Sequence, residues 1–225
     1  MSSAAPPPAS TSTPARRADA GRNDQRVLAA AREVLEELGA DAPMSAIAAR
    51  AGVGMGSLYR RFRSKEDLIR QLGITAMDGV GEEVRAALEE EPDGWAAFTR
   101  FMLVCTKPAS CTSVQFAGTY TVTEEIRAAW ERRKDAIQEL VDRAHAEGSL
   151  RPDVTGADVS LLLAQWRARH RVHDERAAAL HQKYVKLALR GLRAPADEES
   201  TSEELGATWD ELRERWLAAL HPRKQ

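Results

Sequence analysis

The stretch from residue 44 to residue 65 limits the possible folds of this chain more than any other part. The whole chain has 34 acidic and 32 basic residues, which gives a formal net charge of −2. Residues 44–65 contain no Asp or Glu, but they include five basic residues: Arg50, Arg60, Arg61, Arg63 and Lys65. Because a near-neutral sum can hide a local excess, the distribution of charge is more informative than its total.

Helix breakers divide this stretch into two short helices. Pro43 suits the first turn of a helix, Ile47 lies on its apolar face, and Gly52 ends it. A second helix is predicted over residues 55–62, where Leu58 and Phe62 are four positions apart and therefore point into the same core. The sequence thus predicts two short helices joined by a tight turn that contains glycine.

Longer helices flank this pair. The preceding helix ends at Gly39 and has one apolar face, formed by Leu28, Ala31, Leu35 and Leu38. Ser64 begins a fourth helix, because its hydroxyl can cap the amides of the next turn, and Asp67 at the third helical position completes an arrangement like a capping box. Leu68, Leu72 and Met77 continue the buried stripe along this helix.

Composition and periodicity extend the helical pattern to the end of the chain. Ala, Leu, Glu and Arg dominate, while aromatic residues make up only 5% of the chain. The clearest later helices are predicted at residues 122–146, 154–170, 174–192 and 203–220. The last of these has an apolar stripe made of Leu205, Trp209, Leu212, Trp216 and Leu220. We therefore predict an all-α protein.

The short helix pair meets the physical requirements for entering the major groove of DNA. Gly54, Gly56 and Ser57 leave little side-chain bulk, so the backbone can approach DNA closely. The basic residues that follow can neutralise phosphates and release counterions, and the hydroxyl of Tyr59 can donate to a phosphate oxygen. The helix start at Ser64 and Lys65 offers amides and a dipole that favour an anion. The alternative interpretation is an ordinary solvated basic surface.

The sequence GVGMGSLYRRFRSKEDL at residues 52–68 resembles the signature of the TetR family of transcriptional regulators. The resemblance extends upstream through Ala30, Gly39, Ile47 and Ala48, and it covers roughly residues 23–72. It implies that Ser57, Tyr59 and Lys65 contact phosphates. It also places Met55 and Ser45 near base edges, while Leu58 and Phe62 belong to the core.

The chain departs from the family pattern at two places. Ala42 and Pro43 occupy positions where the family often has Thr or Ser, which weakens the expected helix cap, and Gly54 replaces a common polar residue. Direct reading of bases is therefore expected to be sparse, with Arg60 or Arg61 and DNA shape contributing more. The predicted DNA-binding set is Ser45, Gly54, Met55, Gly56, Ser57, Tyr59, Arg60, Arg61 and Lys65.

Residues 1–20 are predicted to be a disordered basic lead-in, because they are rich in Pro, Ser, Thr and Ala without an apolar core. Arg16 and Arg17, with Arg22 just beyond them, can reach into an adjacent minor groove, or they can belong to a solubilising tail. Both interpretations remain open from the sequence. The predicted helix-turn-helix DNA-binding domain then spans residues 21–74.

Residues 75–225 resemble the helical regulatory domain of the same family. A ligand pocket in this domain is expected to lie between helices and to be mainly apolar. Its predicted lining consists of Trp95, Phe98, Met102, Phe116, Tyr120 and Trp130, for each of which plain core packing is the competing interpretation.

Family members pair through their late helices into a four-helix bundle, and the helices predicted at residues 154–170 and 174–192 are the candidates here. The predicted dimer interface comprises Leu162, Leu163, Trp166, Tyr184, Val185 and Leu192. The competing interpretation is that some of these residues form the core of a single protomer.

Other kinds of site have little support in the sequence. We expect Cys105 and Cys111 to be buried thiols rather than a disulfide, and His170, His173 and His181 to be surface residues rather than metal ligands. No cofactor and no metal are expected. An enzyme is not predicted, because no nucleophile with its base and no Gly-rich phosphate loop is visible. The apolar runs are too short to cross a bilayer, which predicts a cytoplasmic, nucleoid-associated protein.

The resemblance implies a homodimer that binds an inverted-repeat operator in double-stranded DNA. We expect a repressor that a small-molecule effector releases from this operator. The alternative is a DNA-binding protein that acts without a ligand, under the control of protein partners.

Overall fold

A computed structural model describes residues 14–107, 121–167, 175–194 and 206–220, without the side chains of residues 14–22, 167 and 218–220. Regular secondary structure in these ranges is helical, and one isolated β-bridge joins Leu150 to Arg193. The all-α prediction is therefore confirmed. The helices are α1 (Pro14–Leu38), α2 (Met44–Ala51), α3 (Met55–Arg61), α4 (Lys65–Glu90), α5 (Gly94–Cys105), α6 (Glu124–Ala146), α7 (Gly156–Arg167), α8 (Glu175–Leu192) and α9 (Trp209–Leu220).

The chain divides into two compact units, Met1–Arg63 and Ser64–Gln225. The predicted boundary between residues 74 and 75 instead falls inside α4. Helix α1 begins at Pro14, so it includes residues 14–20 of the predicted disordered lead-in. Ala and Arg, which dominate that segment, are strong helix formers, and this propensity accounts for the longer helix.

The first unit is built around the apolar face of α1. Leu28, Ala31 and Leu35 are buried, as their spacing predicts, and α1 packs against α2. Leu38 is exposed, which corrects its assignment to the buried face. It is the last residue of the helix, and Gly39 follows it with a φ of 80° that turns the chain away.

The turn between α2 and α3 closes at Gly52, whose φ of 66° lies in the left-handed region. Its backbone N–H points back to the last carbonyls of α2, and the Arg26 Nη2 of α1 donates to the Ala51 carbonyl at 3.0 Å. Pro43 precedes α2 without any side-chain cap bond, which agrees with the weak cap predicted there. Helix α1 therefore braces the turn that carries α3.

The second unit has one apolar core to which α4, α5, α6, α7 and α8 contribute. Ser64, Asp93 and Thr123 cap α4, α5 and α6 by accepting a backbone N–H at 3.0, 2.7 and 3.4 Å. The cap predicted at Ser64 is confirmed, with Asp67 as the donor. Leu68, Leu72 and Met77 are buried along α4, also as predicted.

The C-terminal helix α9 is fastened to the second unit by tryptophans. Trp209 donates from Nε1 to the Gln138 Oε1 at 2.9 Å and meets the ring of Trp130 edge-on at 6.0 Å. Trp216 stacks on Trp130, with their ring centroids 6.3 Å apart. Trp209 and Trp216 of the predicted stripe thus pack within the protomer, whereas Leu205 and the side chain of Leu220 lie outside the described part.

Candidate nucleic-acid interface

Helix α3 presents most of the predicted DNA-binding residues. Leu58 in α3 and Phe62, the residue after it, are buried, as predicted. Their burial anchors the helix in the core of the first unit. Gly54, Met55, Gly56, Tyr59, Arg60 and Arg61 are exposed on α3 or at its start, and Ser57 is half-buried. Ser45 is exposed on α2. The core positions of α3 thus leave a surface of small, aromatic and basic residues facing solvent.

The glycines at the start of α3 are not required by packing within the protein. Among the described residues, apart from chain neighbours and the backbone of the same helix, no heavy atom lies within 4 Å of a Cβ placed on Gly54 or Gly56. Gly54 has a φ of −71°, which any residue can adopt. The free protein therefore has room for larger side chains here, and the small size suits a partner that approaches closely.

Carboxylates of α1 hold two of the five cations of the acid-free stretch. Arg50 binds Glu33 at 3.0 Å and Glu37 at 2.7 Å, and these hydrogen bonds, that to Glu37 first, raise the pKa of Arg50. Arg61 forms an ion pair with Asp24. Sequence patterns missed Asp24 and Arg26, because their partners lie 37 and 25 residues away.

Three further residues predicted to contact DNA lie on α1, and one lies on α4. Arg16, Arg17 and Arg22 are within the α1 backbone, but their side chains are outside the described part, so their minor-groove role stays a prediction. Lys65 is half-buried as the first residue of α4, in the second unit.

The structure divides the predicted pocket lining between two groups. Phe98 and Met102 are fully buried in the core of the second unit, where Trp95 stacks on Phe98 at 5.8 Å. Trp130 lies outside that core cluster and packs against Trp209 and Trp216. Phe116 and Tyr120 fall outside the described residues. The four described residues of the predicted lining therefore do not line one common pocket.

The predicted dimer interface needs a similar correction. Leu163 and Val185 are buried within the protomer and belong to its core, so they leave no surface for a second copy. Leu162, Trp166 and Leu192 pack partly against the same core. Tyr184 is the exposed member of the predicted set, with 60% of its surface accessible.

The remaining candidates from the sequence are histidines and cysteines. His181 bonds to the Thr106 carbonyl at 3.2 Å, Cys105 is buried, and Cys111, His170 and His173 lie outside the described ranges. No cluster of potential metal ligands occurs there, and none of the described helices is long and apolar enough to cross a membrane. A groove between α4 and α6, which the sequence did not predict, is lined mostly by charged residues such as Asp78 and Arg132.

The fold and the surface of α3 define a helix-turn-helix regulator. Residues 27–72 match the family model for bacterial regulatory proteins of the tetR family. Residues 94–194 match the model for the C-terminal domain of SbtR-like transcriptional regulators. The chain belongs to the TetR family, whose members are DNA-binding transcription regulators and not enzymes.

Solved structures support the same assignment. A TetR transcription regulatory protein from Mycobacterium vanbaalenii is 29% identical, with a TM-score of 0.59 over 79% of this chain and 98% of its own. A TetR regulator from Streptomyces coelicolor is also 29% identical, with a TM-score of 0.56 over 77% of this chain and 99% of its own. No curated protein sequence matches this chain.

Proposed function

We propose that this protein is a homodimeric repressor that binds an inverted-repeat operator and is released from it by a small molecule. DNA binding itself follows from membership of the family. The observation that carries the DNA-binding part of this proposal is the exposed side of α3. On this side, two glycines with open space around them lie beside an exposed tyrosine and exposed arginines. Buried Leu58 and Phe62 anchor the helix in the core.

The exposed side of α3 supports a division of labour among its residues. Ser57, Tyr59 and Lys65 are assigned to phosphates, where charge and hydrogen bonds fix the register without reading sequence. Met55 and Ser45 are assigned to base edges, and both are exposed. Since this base-reading surface is small, DNA shape contributes to the choice of operator.

An apolar row on α8 supports the homodimer. Leu180, Tyr184 and Leu187 are spaced four and three residues apart and therefore share one face. Tyr184 and Leu187 are 60% and 48% exposed, which is unusual for such residues on a helix whose other side is buried. Half-buried Leu162 and Trp166 on α7 can extend the surface that a second copy would cover.

Replacing Leu187 with Glu tests this dimer. We expect analytical ultracentrifugation to show dimers for the wild type and monomers for Leu187→Glu at the same concentration. Lys186→Glu, an exposed neighbour on a different face, is the control and should remain dimeric. A Leu187→Glu protein that remains fully dimeric would contradict the use of this row.

The proposed effector acts by shifting populations. It binds between helices of the second unit and favours an arrangement in which the α3 helices, the recognition helices of the dimer, no longer fit the operator. Helix α4 transmits this change. A coupling free energy of about 1 to 3 kcal/mol changes the affinity for DNA about 5- to 150-fold. We place this activity in the cytoplasm, at the nucleoid.

The operator can be identified by selecting bound duplexes from a random library with the full-length protein. We expect enrichment of an inverted repeat whose half-sites lie about one helical turn apart, roughly 10 to 10.5 base pairs. Enrichment of an unsymmetrical site would overturn the homodimeric model. In a reporter carrying the selected site near its promoter, the protein should lower expression, whereas higher expression would indicate an activator.

The selected operator then allows a search for the effector. We expect at least one compound of a metabolite collection to lower the affinity for this operator. Unchanged affinity across the collection would instead favour a DNA-binding protein controlled by protein partners.

A further inference from the structure

Two consecutive arginines end α3, and the structure treats them differently. Arg61 forms an ion pair with Asp24 of α1. Arg60 is exposed and forms no ion pair with any residue in the described ranges. By sequence the two are equivalent candidates for binding DNA, so the difference comes from their surroundings.

The carboxylate of Asp24 is largely shielded from solvent. Only 17% of the Asp24 side chain is accessible, whereas 58% of the Arg61 side chain is accessible. A guanidinium that moved from this carboxylate to a phosphate would leave Asp24 partly desolvated and facing a polyanion. Because an unpaired, partly buried charge is costly, the pair resists this exchange.

Acidic residues of α1 also form ion pairs with a second arginine of residues 44–65. Glu33 and Glu37 hold Arg50, and these two acidic residues lie on the same helix as Asp24. The electrostatic surface offered to DNA is therefore weaker than the five cations of residues 44–65 suggest. Affinity for DNA depends on the number of phosphates neutralised, so this pairing has a measurable consequence.

We propose that Asp24 withholds Arg61 from DNA, so that Arg60 supplies the positive charge at the end of the recognition helix. Arg61 is then a positioning residue that ties α3 to α1, and Asp24 sets the affinity for DNA. The proposal requires only that the protein binds duplex DNA. It is independent of the operator, the effector and the direction of regulation.

The test measures the affinity of the full-length protein for a labelled duplex of arbitrary sequence, between about 50 and 200 mM salt. Replacing Arg60 with Gln should reduce the slope of log K against log salt by about 0.9 for each bound protomer. Arg61→Gln should change the slope by less than half of that. Equal losses for the two arginines would overturn the proposal.

Replacing Asp24 with Asn should free Arg61. We expect a slope steeper by about 0.9 and binding about eightfold tighter per bound protomer at 0.1 M salt, since one additional phosphate is neutralised. In a protein that already carries Arg61→Gln, Asp24→Asn should have little effect. If it tightens binding equally in that background, Asp24 acts only as a general negative charge and the proposal fails.

Glu33→Gln is the matched control, because it removes one negative charge from α1 while Glu37 still holds Arg50. It should leave the slope unchanged, and a gain equal to that of Asp24→Asn would contradict the proposal. Circular dichroism verifies the fold of each variant. If Asp24→Asn does not fold, the comparison of Arg60→Gln with Arg61→Gln still decides. A wild-type protein that does not bind the duplex would overturn the proposal, because the proposal requires DNA binding.

Discussion

Glycines have opposite roles in the two units of this protein. In the first unit, no atom lies near a Cβ placed on Gly54 or Gly56. In the second unit, a Cβ on Gly94 would lie 2.8 Å from the Ala144 Cα, and one on Gly156 would lie 2.8 Å from the ring of Trp209. Internal packing excludes side chains at Gly94 and Gly156, whereas it leaves room for them at Gly54 and Gly56.

The starts of the helices show the same contrast. Side chains cap α4, α5 and α6, but α2 and α3 begin at Pro43 and Gly54 without a side-chain cap. Capping satisfies backbone amides within the chain. The second unit therefore caps these three helix starts with its own side chains, whereas α2 and α3 in the first unit begin without a side-chain partner.

Gly94→Ala should produce the largest loss of stability. The new methyl group meets the backbone of α6, which cannot rotate away, and such overpacking typically costs about 1 to 3 kcal/mol. The free energy of unfolding in urea measures this loss. Gly79→Ala in α4, where a Cβ meets open space, should instead stabilise by about 0.5 to 1 kcal/mol. Equal changes in the free energy of unfolding at the two positions would contradict the distinction between packed and open glycines.

Gly56→Gln tests the open glycines of the first unit. The free protein has room for the side chain, and Gln forms helices better than Gly, so the free energy of unfolding should not fall. On DNA the side chain occupies space proposed for the duplex. We therefore expect operator affinity to fall about tenfold, which corresponds to about 1.4 kcal/mol.

The control for this substitution is Gly79→Gln, which adds the same side chain at an open position of α4. It should leave operator affinity unchanged. A Gly56→Gln protein that is stable and binds DNA normally would show that close approach does not explain this glycine.

Lys65→Gln tests the phosphate contact proposed for the first residue of α4. Lys65 begins α4 immediately after the unit boundary. Loss of one phosphate contact should lower the salt slope by about 0.9 per protomer and weaken binding to all sequences alike, about eightfold at 0.1 M salt. Lys186→Gln on α8 should change neither quantity. A change in sequence preference would show that Lys65 reads bases instead.

The sequence predicted what depends on near neighbours along the chain. Leu58 and Phe62 share a face because they are four residues apart, and the Ser64 cap involves the amide of Asp67, three residues on. The apolar face of a helix does not by itself indicate whether it packs against the same protomer or against a second copy. Val185 was therefore assigned to a dimer, although it is buried in the core of its own chain.

Contacts between distant residues were not predictable in this way. The ion pair of Asp24 with Arg61 spans 37 positions, and the bond of Gln138 with Trp209 spans 71. Neither has a local pattern, because the spacing depends on how the helices pack. The exposed positions of α3 could be predicted from the sequence, but the partner that holds Arg61 could not.

The smallest expected effect concerns Glu66, at the capped start of α4. Thr121 donates to its Oε1 from the backbone N–H and from the hydroxyl, both at 2.8 Å, and these bonds lower the pKa of Glu66 below 4.5. A lowered pKa in the folded state stabilises the protein above the unfolded pKa, and this contribution is lost as pH falls through the folded value. Glu66→Gln should therefore lower the Tm slightly near pH 7, by an amount that shrinks towards about pH 3. Because Glu66 is exposed and screened by solvent, the difference should be small. A difference that is unchanged at low pH would mean that the ionised form of Glu66 does not stabilise this helix start, and the second unit would be less self-sufficient than its caps indicate.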